Sequence, residues 1–267
     1  MSKRILIASP VFDGMEYCFM DFLFRVNNVE IPEGYTADTL IVDNSSTTDF
    51  IEKYKNMKGF SKIKFYHQEK ISDEKPMEKL IRSRNYIVDY AKDNDYDYLF
   101  MLDSDVMLPF DILVKLLGRD KDAISGLYFG LWKLSDYVKT KEEDKNKVVA
   151  LPVAYRFLTD SEFLEYKKKH PNVEDKMDVR IHLTEKDIKS KELFEVSMPS
   201  PGCFLLSRKA FTSGARYGLS QNHNDDQKLM RGLRDNGFKI YVDTSCICQH
   251  SVFGKYGSNN GKHPLLK

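Results

Sequence analysis

The sequence predicts an α/β fold: a mostly parallel central sheet with helices on both faces. Three observations carry this expectation. Short apolar runs, "KRILIAS", "ADTLIVD" and "YDYLFML", recur with stretches of helical spacing between them. Alternation of strand and helix builds parallel sheets covered on both sides. Two of the runs end on carboxylates, Asp43 and Asp103, and in such sheets ligands bind beyond the carboxyl ends of the strands.

The elements follow in order. "KRILIAS" is a buried strand rich in isoleucine and bounded by Pro10. "MDFLFRVNNV" has helical spacing. "ADTLIVDNSS" is a second buried strand that ends at Asp43 in a polar turn, and "SKIKFYHQ" is a shorter third. "PMEKLIRSRNYIVDYAKDN" is the strongest helix. Pro76 opens it, and Met77, Leu80, Ile81, Ile87, Val88 and Ala91 form one stripe. A strand ending at Asp103 comes next. Beyond Leu117, "DAISGLYFGLW" and "VVALPVAYRFL" each read as a strand, "SEFLEYKKKH" as a short helix, and residues 170–192 as charged and weakly patterned. "LFEVSMPSPGCFLLSRKAF" is strand, Pro/Gly break, strand. "DDQKLMRGLRDNG" is a helix with Gly237 as its stop signal, and "FKIYVDTSCICQH" is a terminal strand.

The chain has 267 residues and is 42% hydrophobic, enough for a sizeable core. One domain is expected over residues 1–250, with a parallel half at 1–107, a mixed half at 108–250, and a flexible Gly-rich tail at 251–267. The 41 basic and 40 acidic residues leave a formal net charge of +1 and no electrostatic footprint for nucleic acid. Cys18, Cys203, Cys246 and Cys248 are scattered and complete no zinc set, as expected of reduced thiols in a cytoplasmic protein. No apolar run is long enough to span a membrane, although contact with a membrane surface is compatible with the sequence.

"YDYLFMLDSDVM" poses the chemical question, because a strand built for an interior stops on two carboxylates. In extended chain Asp103 and Asp105 point the same way, about 6.5–7 Å apart. Like charges so placed repel and resist desolvation, and a divalent cation compensates both effects. Oxygen donors suit Mg²⁺ or Mn²⁺, with phosphate oxygens completing the shell. The plain alternative is an ordinary acidic strand exit. Asp43 reads equally as a turn residue or as a partner for a ribose or base. Arg84 falls within the apolar stripe of its helix and needs an anionic partner, a structural acid or a ligand phosphate. Asp225 and Asp226 suit a helix start, where acids favour the dipole, or a general base aimed at a pocket. His250, at the end of the last strand, is a surface residue or a metal ligand.

The ordered set "SPVFDG", "VDNSS", "RSRN", "LDSDV", "SPGCFLLSRKAF", "NDDQKLMRGLRDNGFKIYV" and His250 resembles nucleotide-sugar glycosyltransferases of the GT-A fold, family 2-like, over residues 3–250. The resemblance implies transfer of a sugar from a UDP- or GDP-linked donor to a glycan, lipid or protein acceptor, assisted by Mn²⁺ or Mg²⁺. It implies that Pro10 and Asp43 border the nucleoside, that Arg84 and Asn85 lie near the nucleotide, and that Asp103 and Asp105 bind metal. Gly202 matches a small residue beneath the donor sugar, and His250 a metal ligand. Asp226 takes the position of the base in inverting enzymes, with Asp225 capping the helix or holding the acceptor. Asp225 departs from the family's usual Glu, and Gly232 from a frequent Arg. Among the aromatics of the second half, Trp132 and Tyr128 are the expected contacts to a sugar ring. Two other readings compete. In a haloacid-dehalogenase-like phosphatase Asp103 would be the nucleophile, but no partner motifs accompany it and two strand–helix units precede it. A non-catalytic sugar-nucleotide or glycan-binding module is the other.

Overall fold

The computed structural model describes residues 2–133, 141–144, 146–176, 179–190, 192–219 and 225–251. Most of the expected tail, residues 252–267, lies outside them. The first half runs β1 (Lys3–Val11), α1 (Glu16–Asn27), β2 (Tyr35–Asp43), α2 (Asp49–Lys55), β3 (Ile63–His67), α3 (Pro76–Asp93) and β4 (Tyr98–Leu102). There follow β5 (Val106–Met107), α4 (Ile112–Gly118), β6 (Ala123–Leu127), β7 (Phe129–Lys133), β8 (Val148–Pro152), β9 (Tyr155–Arg156) and α5 (Asp160–Lys169). The last part holds β10 (Ile181–His182), α6 (Glu185–Ser190), β11 (Leu193–Glu195), β12 (Cys203–Ser207), α7 (Arg208–Phe211), α8 (Asp225–Asp235), β13 (Tyr241–Ile247) and β14 (Gln249–His250).

Eight strands form one sheet in the order β11-β13-β6-β12-β4-β1-β2-β3. The edge β4-β1-β2-β3 is parallel. β12 then enters antiparallel to both β4 and β6, β13 lies parallel to β6, and β11 closes the far edge antiparallel. The expected division into a parallel first half and a mixed second half is therefore observed. Residues alternate between two apolar layers. Leu6, Ala8, Leu99, Met101, Phe204 and Leu206 meet Ile87, Val88 and Ala91 of α3 and Leu229, Met230 and Leu233 of α8. Ile5, Ile7, Phe100, Leu102 and Leu205 face Phe19, Phe22 and Leu23 of α1 and Ile112, Leu113 and Leu116 of α4. Each fully buried Leu, Ile or Phe contributes about 1.5–3 kcal/mol, and this burial outweighs the weak helix propensity of such short segments.

The structure corrects several boundaries. "DAISGLYFGLW" is two strands broken at Tyr128, because β6 stays in the main sheet while β7 leaves it to pair with β8. "VVALPVAYRFL" likewise divides into β8 and β9, and "RKAF" is the helical turn α7, with the Ser207 hydroxyl accepting from the Ala210 N–H. The short α2, α4 and α6 are additions, too brief for a 3.6-residue period to stand out. Gly237 does end α8, at φ +83°, where the Gly237 and Phe238 N–H groups donate to the Arg234 and Leu233 carbonyls. Gly232 is explained by packing: a Cβ there would lie 3.0 Å from the Ala215 Cβ, so a side chain would require that loop to give by a few tenths of an ångström. Among the described residues no helix is long and apolar enough to cross a membrane.

Candidate active site

The carboxyl ends of β1, β2 and β4 form one rim. Parallel pairing puts Val11 beside Asp43, and the Asn44 N–H donates to the Val11 carbonyl over 2.9 Å. A cavity of about 220 Å³ opens there, lined by residues that include Pro10, Phe12, Asn44, Leu80, Arg84 and Asp103. Pro10 is one of its lining residues. Asp43 is fully buried and does not line the cavity. One of its carboxylate oxygens accepts from the Ser45 N–H and hydroxyl, and the other meets His67 Nδ1 at 2.6 Å. Its bland reading as a turn-forming acid is satisfied, and its neighbour Asn44 presents to the cavity instead. Phe12, Asn44 and Leu80 were not singled out from the sequence, since each reads as an ordinary turn or stripe residue.

Arg84 organises the rim. It sits on the inward face of α3, 4% exposed, and donates through Nη2 to Asp103 and through Nη1 to Asp225. Its guanidinium lies 5.2 Å from the centre of the Tyr217 ring. Burial disfavours its charge, but Asp103 and Asp225 more than offset this and keep it protonated. Both of the partners anticipated for Arg84 were anions, and in this state they are structural acids. One residue on a helix, one at a strand end and one at the start of α8 are joined by it across a long span of sequence. Asn85 faces another way: it exchanges two hydrogen bonds with the Tyr217 backbone, at 3.0 and 3.1 Å, and fixes that loop.

Asp103 and Asp225 pair with this guanidinium, Asp226 acts on it electrostatically, and Asp105 acts on Asp103. Burial raises the pKa of Asp103, with the Asp105 charge adding to it and Arg84 opposing. Asp226 is pushed up to about 6 by burial and by its neighbour Asp225. Asp225 is itself buried and paired with Arg84.

β14 returns to this rim and pairs antiparallel with β5, His250 opposite Val106. That brings His250 Nε2 to 3.3 Å from Asp105 Oδ2, while the Ser251 N–H donates to the Asp105 carbonyl over 2.7 Å. The last histidine and the second acid of the DxD are therefore brought together. Among the described residues no three His, Cys, Asp or Glu side chains are grouped to hold a metal ion, since Asp103 is turned onto Arg84. The donor chemistry, carboxylates beside an imidazole in a surplus of negative charge, nonetheless fits Mn²⁺ or Mg²⁺.

Gly202 faces Asp103. Its carbonyl accepts from the Asp103 N–H over 3.0 Å, and a Cβ on it would lie 2.7 Å from Asp103 Oδ2 and 3.0 Å from Val106 Cγ2. Gly202→Ala is expected to displace the Asp103 carboxylate without unfolding the chain. Near-native thermal stability with metal-dependent nucleotide binding lost or weakened at least tenfold checks this.

The two aromatics take different places. Tyr128 is buried, its hydroxyl accepting from the Gly202 N–H at 3.3 Å and its ring 5.0 Å from that of His250. It supports the rim from beneath. Trp132 lies 6.0 Å from the His182 ring, which in turn lies 4.5 Å from Tyr155. Arg180, over the Tyr155 ring at 5.6 Å, acts electrostatically on Asp226 and so ties this aromatic group to the acidic pair.

No protein-family profile matches the sequence, and no curated protein is similar to it by sequence. Solved structures are similar in fold. GalNAc-T7, crystallised with UDP, GalNAc and Mn²⁺, superposes with a TM-score of 0.59 at 13% identity, over 96% of this chain and 45% of that one. The chain has a GT-A-like fold. The mannosyltransferase PcManGT from Pyrobaculum calidifontis, in complex with GDP-Man and Mn²⁺, gives 0.55 at 11% identity over 96% and 59%. Residues 1–349 of S. aureus TarS give 0.50 at 12% identity over 92% and 59%. The chain thus spans about half the length of these solved proteins.

Proposed function

We propose that the protein is a metal-assisted glycosyltransferase that moves a sugar from a nucleotide-diphosphate sugar to an acceptor hydroxyl, with residues 1–250 as one catalytic unit. The observation that carries this reading is the Arg84 bridge. It joins the DxD acid Asp103 to Asp225, so the candidate metal ligands and the acidic pair converge on one strand-end rim beside a cavity. The fold likeness to proteins crystallised with UDP or GDP-Man and Mn²⁺ supports it.

In this reading Pro10 and Asn44 frame the nucleoside, and Asp43 braces the β2 turn that presents Asn44. Asp103, Asp105 and His250 would hold Mn²⁺ or Mg²⁺. The ion, when bound, supplies positive charge to the departing diphosphate. Arg84 keeps Asp103 and Asp225 oriented and offsets part of their repulsion. Asp226 takes the proton from the acceptor hydroxyl as the new bond forms, in an inverting transfer. Trp132, in its cluster with His182 and Tyr155, would meet the ring of an acceptor sugar. No observation favours the phosphatase reading, in which Asp103 would have to attack from a carboxylate already engaged by Arg84.

A panel of UDP- and GDP-sugars, each measured for thermal stabilisation with Mn²⁺ and with EDTA, tests the proposal. At least one donor is expected to raise the Tm with Mn²⁺ and not with EDTA, and Asp105→Ala is expected to abolish that shift while the unliganded Tm stays close to wild type. Equal stabilisation with EDTA removes the metal from the reading, and no stabilisation by any donor removes the transferase.

A further inference from the structure

The outer face of α1 is apolar where it meets solvent. Tyr17, Met20 and Phe24 recur at i, i+3 and i+7 and form one stripe along the helix. The side turned to the sheet is a different one, Phe19, Phe22, Leu23 and Val26, and is already buried. Met20 is 41% exposed and Phe24 54%, although a helix packed on one sheet keeps polar residues on its far side. Phe110, 40% exposed, continues the stripe from the segment before α4, its ring set edge-on to that of Phe24 with 6.2 Å between centres. Apolar side chains on an ordinary surface are scattered singly, whereas a contiguous patch marks a face that something covers.

The chain's own exit points at this patch. The Tyr17 hydroxyl donates to the Ser251 carbonyl over 2.9 Å, and the Ser251 N–H donates to the Asp105 carbonyl over 2.7 Å. The backbone therefore leaves the acidic rim at the head of the stripe, with residues 252–267 still to follow. Phe24 lies about 10 Å along the helix axis from Tyr17, a distance that about three or four extended residues span. The apolar residues that come next, Val252, Phe253 and Tyr256, fall within that reach.

Charge selects the occupant. Residues 252–267 hold Lys255, Lys262, His263 and Lys267 and no acid. The patch carries Asp21, beside Phe24 on the same helix face, and Glu30, whose N–H donates to the Phe110 carbonyl. Both acids are exposed, and among the described residues neither is ion-paired, while Arg25 lies over the Phe110 ring at 4.8 Å. A basic and apolar segment complements this surface. An anionic lipid surface is repelled by the same two acids, and a symmetric pairing of two copies sets them against their own equivalents.

We propose that residues 252–256 lie along the outer face of α1, with Val252, Phe253 and Tyr256 covering Met20, Phe24 and Phe110, and that this contact straps β14 to the rim. Ser251 is the link. Tyr17 holds it on one side and Asp105 on the other, so a chain fastened beyond it keeps His250 at Asp105. The contact does not rest on the transferase reading.

Hydrogen exchange read residue by residue in the full chain tests this. Wild type is compared with the double variant Met20→Ser, Phe24→Ser and with the triple variant Val252→Ser, Phe253→Ser, Tyr256→Ser. In wild type the amides of residues 252–256 are expected to exchange about tenfold or more slower than in an unstructured peptide of the same sequence. Both variants should bring them to the unstructured rate and speed the exchange of the Ser251 amide, with β1 and β4 protected as in wild type. Exchange at the unstructured rate in wild type, or protection that survives in the double variant, overturns the proposal. Light scattering, and sedimentation with vesicles of phosphatidylcholine and phosphatidylglycerol, test the other occupants. A dimer or a vesicle complex that forms with wild type and is abolished by Phe24→Ser also overturns it.

Discussion

On the proposed transferase reading Asp226→Asn is expected to lower kcat by about 10²–10⁴, the usual cost of losing a positioned base, and to leave the affinity for the nucleotide-sugar within a factor of about two. Asn keeps the shape of the side chain but cannot take a proton. The pH profile identifies the cause. The wild-type carboxyl is held at about 6 by burial and by Asp225. Since only the ionised form is a base, activity rises with pH up to about 6 and levels above it, and the variant lacks this limb. Stability moves the other way. The unfolded carboxyl titrates near 3.9, so the native state holds its proton to higher pH than the unfolded chain does. The contribution of Asp226 to stability is therefore fully present below about pH 4 and is lost as pH rises through about 6. Above that window Asn at 226 should melt at a higher temperature than Asp. A variant that is more stable yet nearly inactive matches a carboxylate kept for chemistry; full turnover in the variant, or a product with the donor's anomeric configuration retained, removes Asp226 as the base of an inverting transfer.

Arg84→Leu is expected to destabilise the protein by about 3–5 kcal/mol, the range for removing one partner of a buried ion pair. Leu fits the apolar stripe of α3 and fills much of the space, so packing is not the main loss. What remains is the buried Asp225 and the partly buried Asp103, near one another and with no guanidinium between them. Without the opposing guanidinium the Asp103 carboxyl is pushed up further, so the loss should shrink as the pH is lowered and Asp103 takes up a proton. Arg84→Lys recovers little, because one ammonium cannot bridge two carboxylates as the planar fork does. Denaturant unfolding at two pH values measures both effects. A wild-type-like midpoint for Arg84→Leu at neutral pH would show that the rim does not depend on this bridge.

Much of this site was legible before any coordinates. The DxD acids, the acidic pair, Arg84 and His250 all stand on one rim, because their chemistry is carried by residue types that do not belong where periodicity puts them. An arginine inside an apolar stripe and two carboxylates at the end of a buried strand are local anomalies, and local anomalies survive in one dimension. The helix α3 and the strands before Asp43 and Asp103 were equally plain, since long or strongly apolar segments carry their own period. The order of the acids along the chain also pointed to a fold, and the fold agrees.

Pairing across the molecule lay outside that reach. The sequence by itself determined that Arg84 needed an anion; the tertiary structure decided that it takes two, 19 and 141 residues away. It decided that Asp43 is closed off by Ser45 and His67 while Asn44 meets the cavity. It divided Asp225 from Asp226 by pairing Asp225 with Arg84. The physical reason is common to all three. Whether a charge is solvated or paired depends on what a distant segment places beside it, and side-chain period within one element is silent about that.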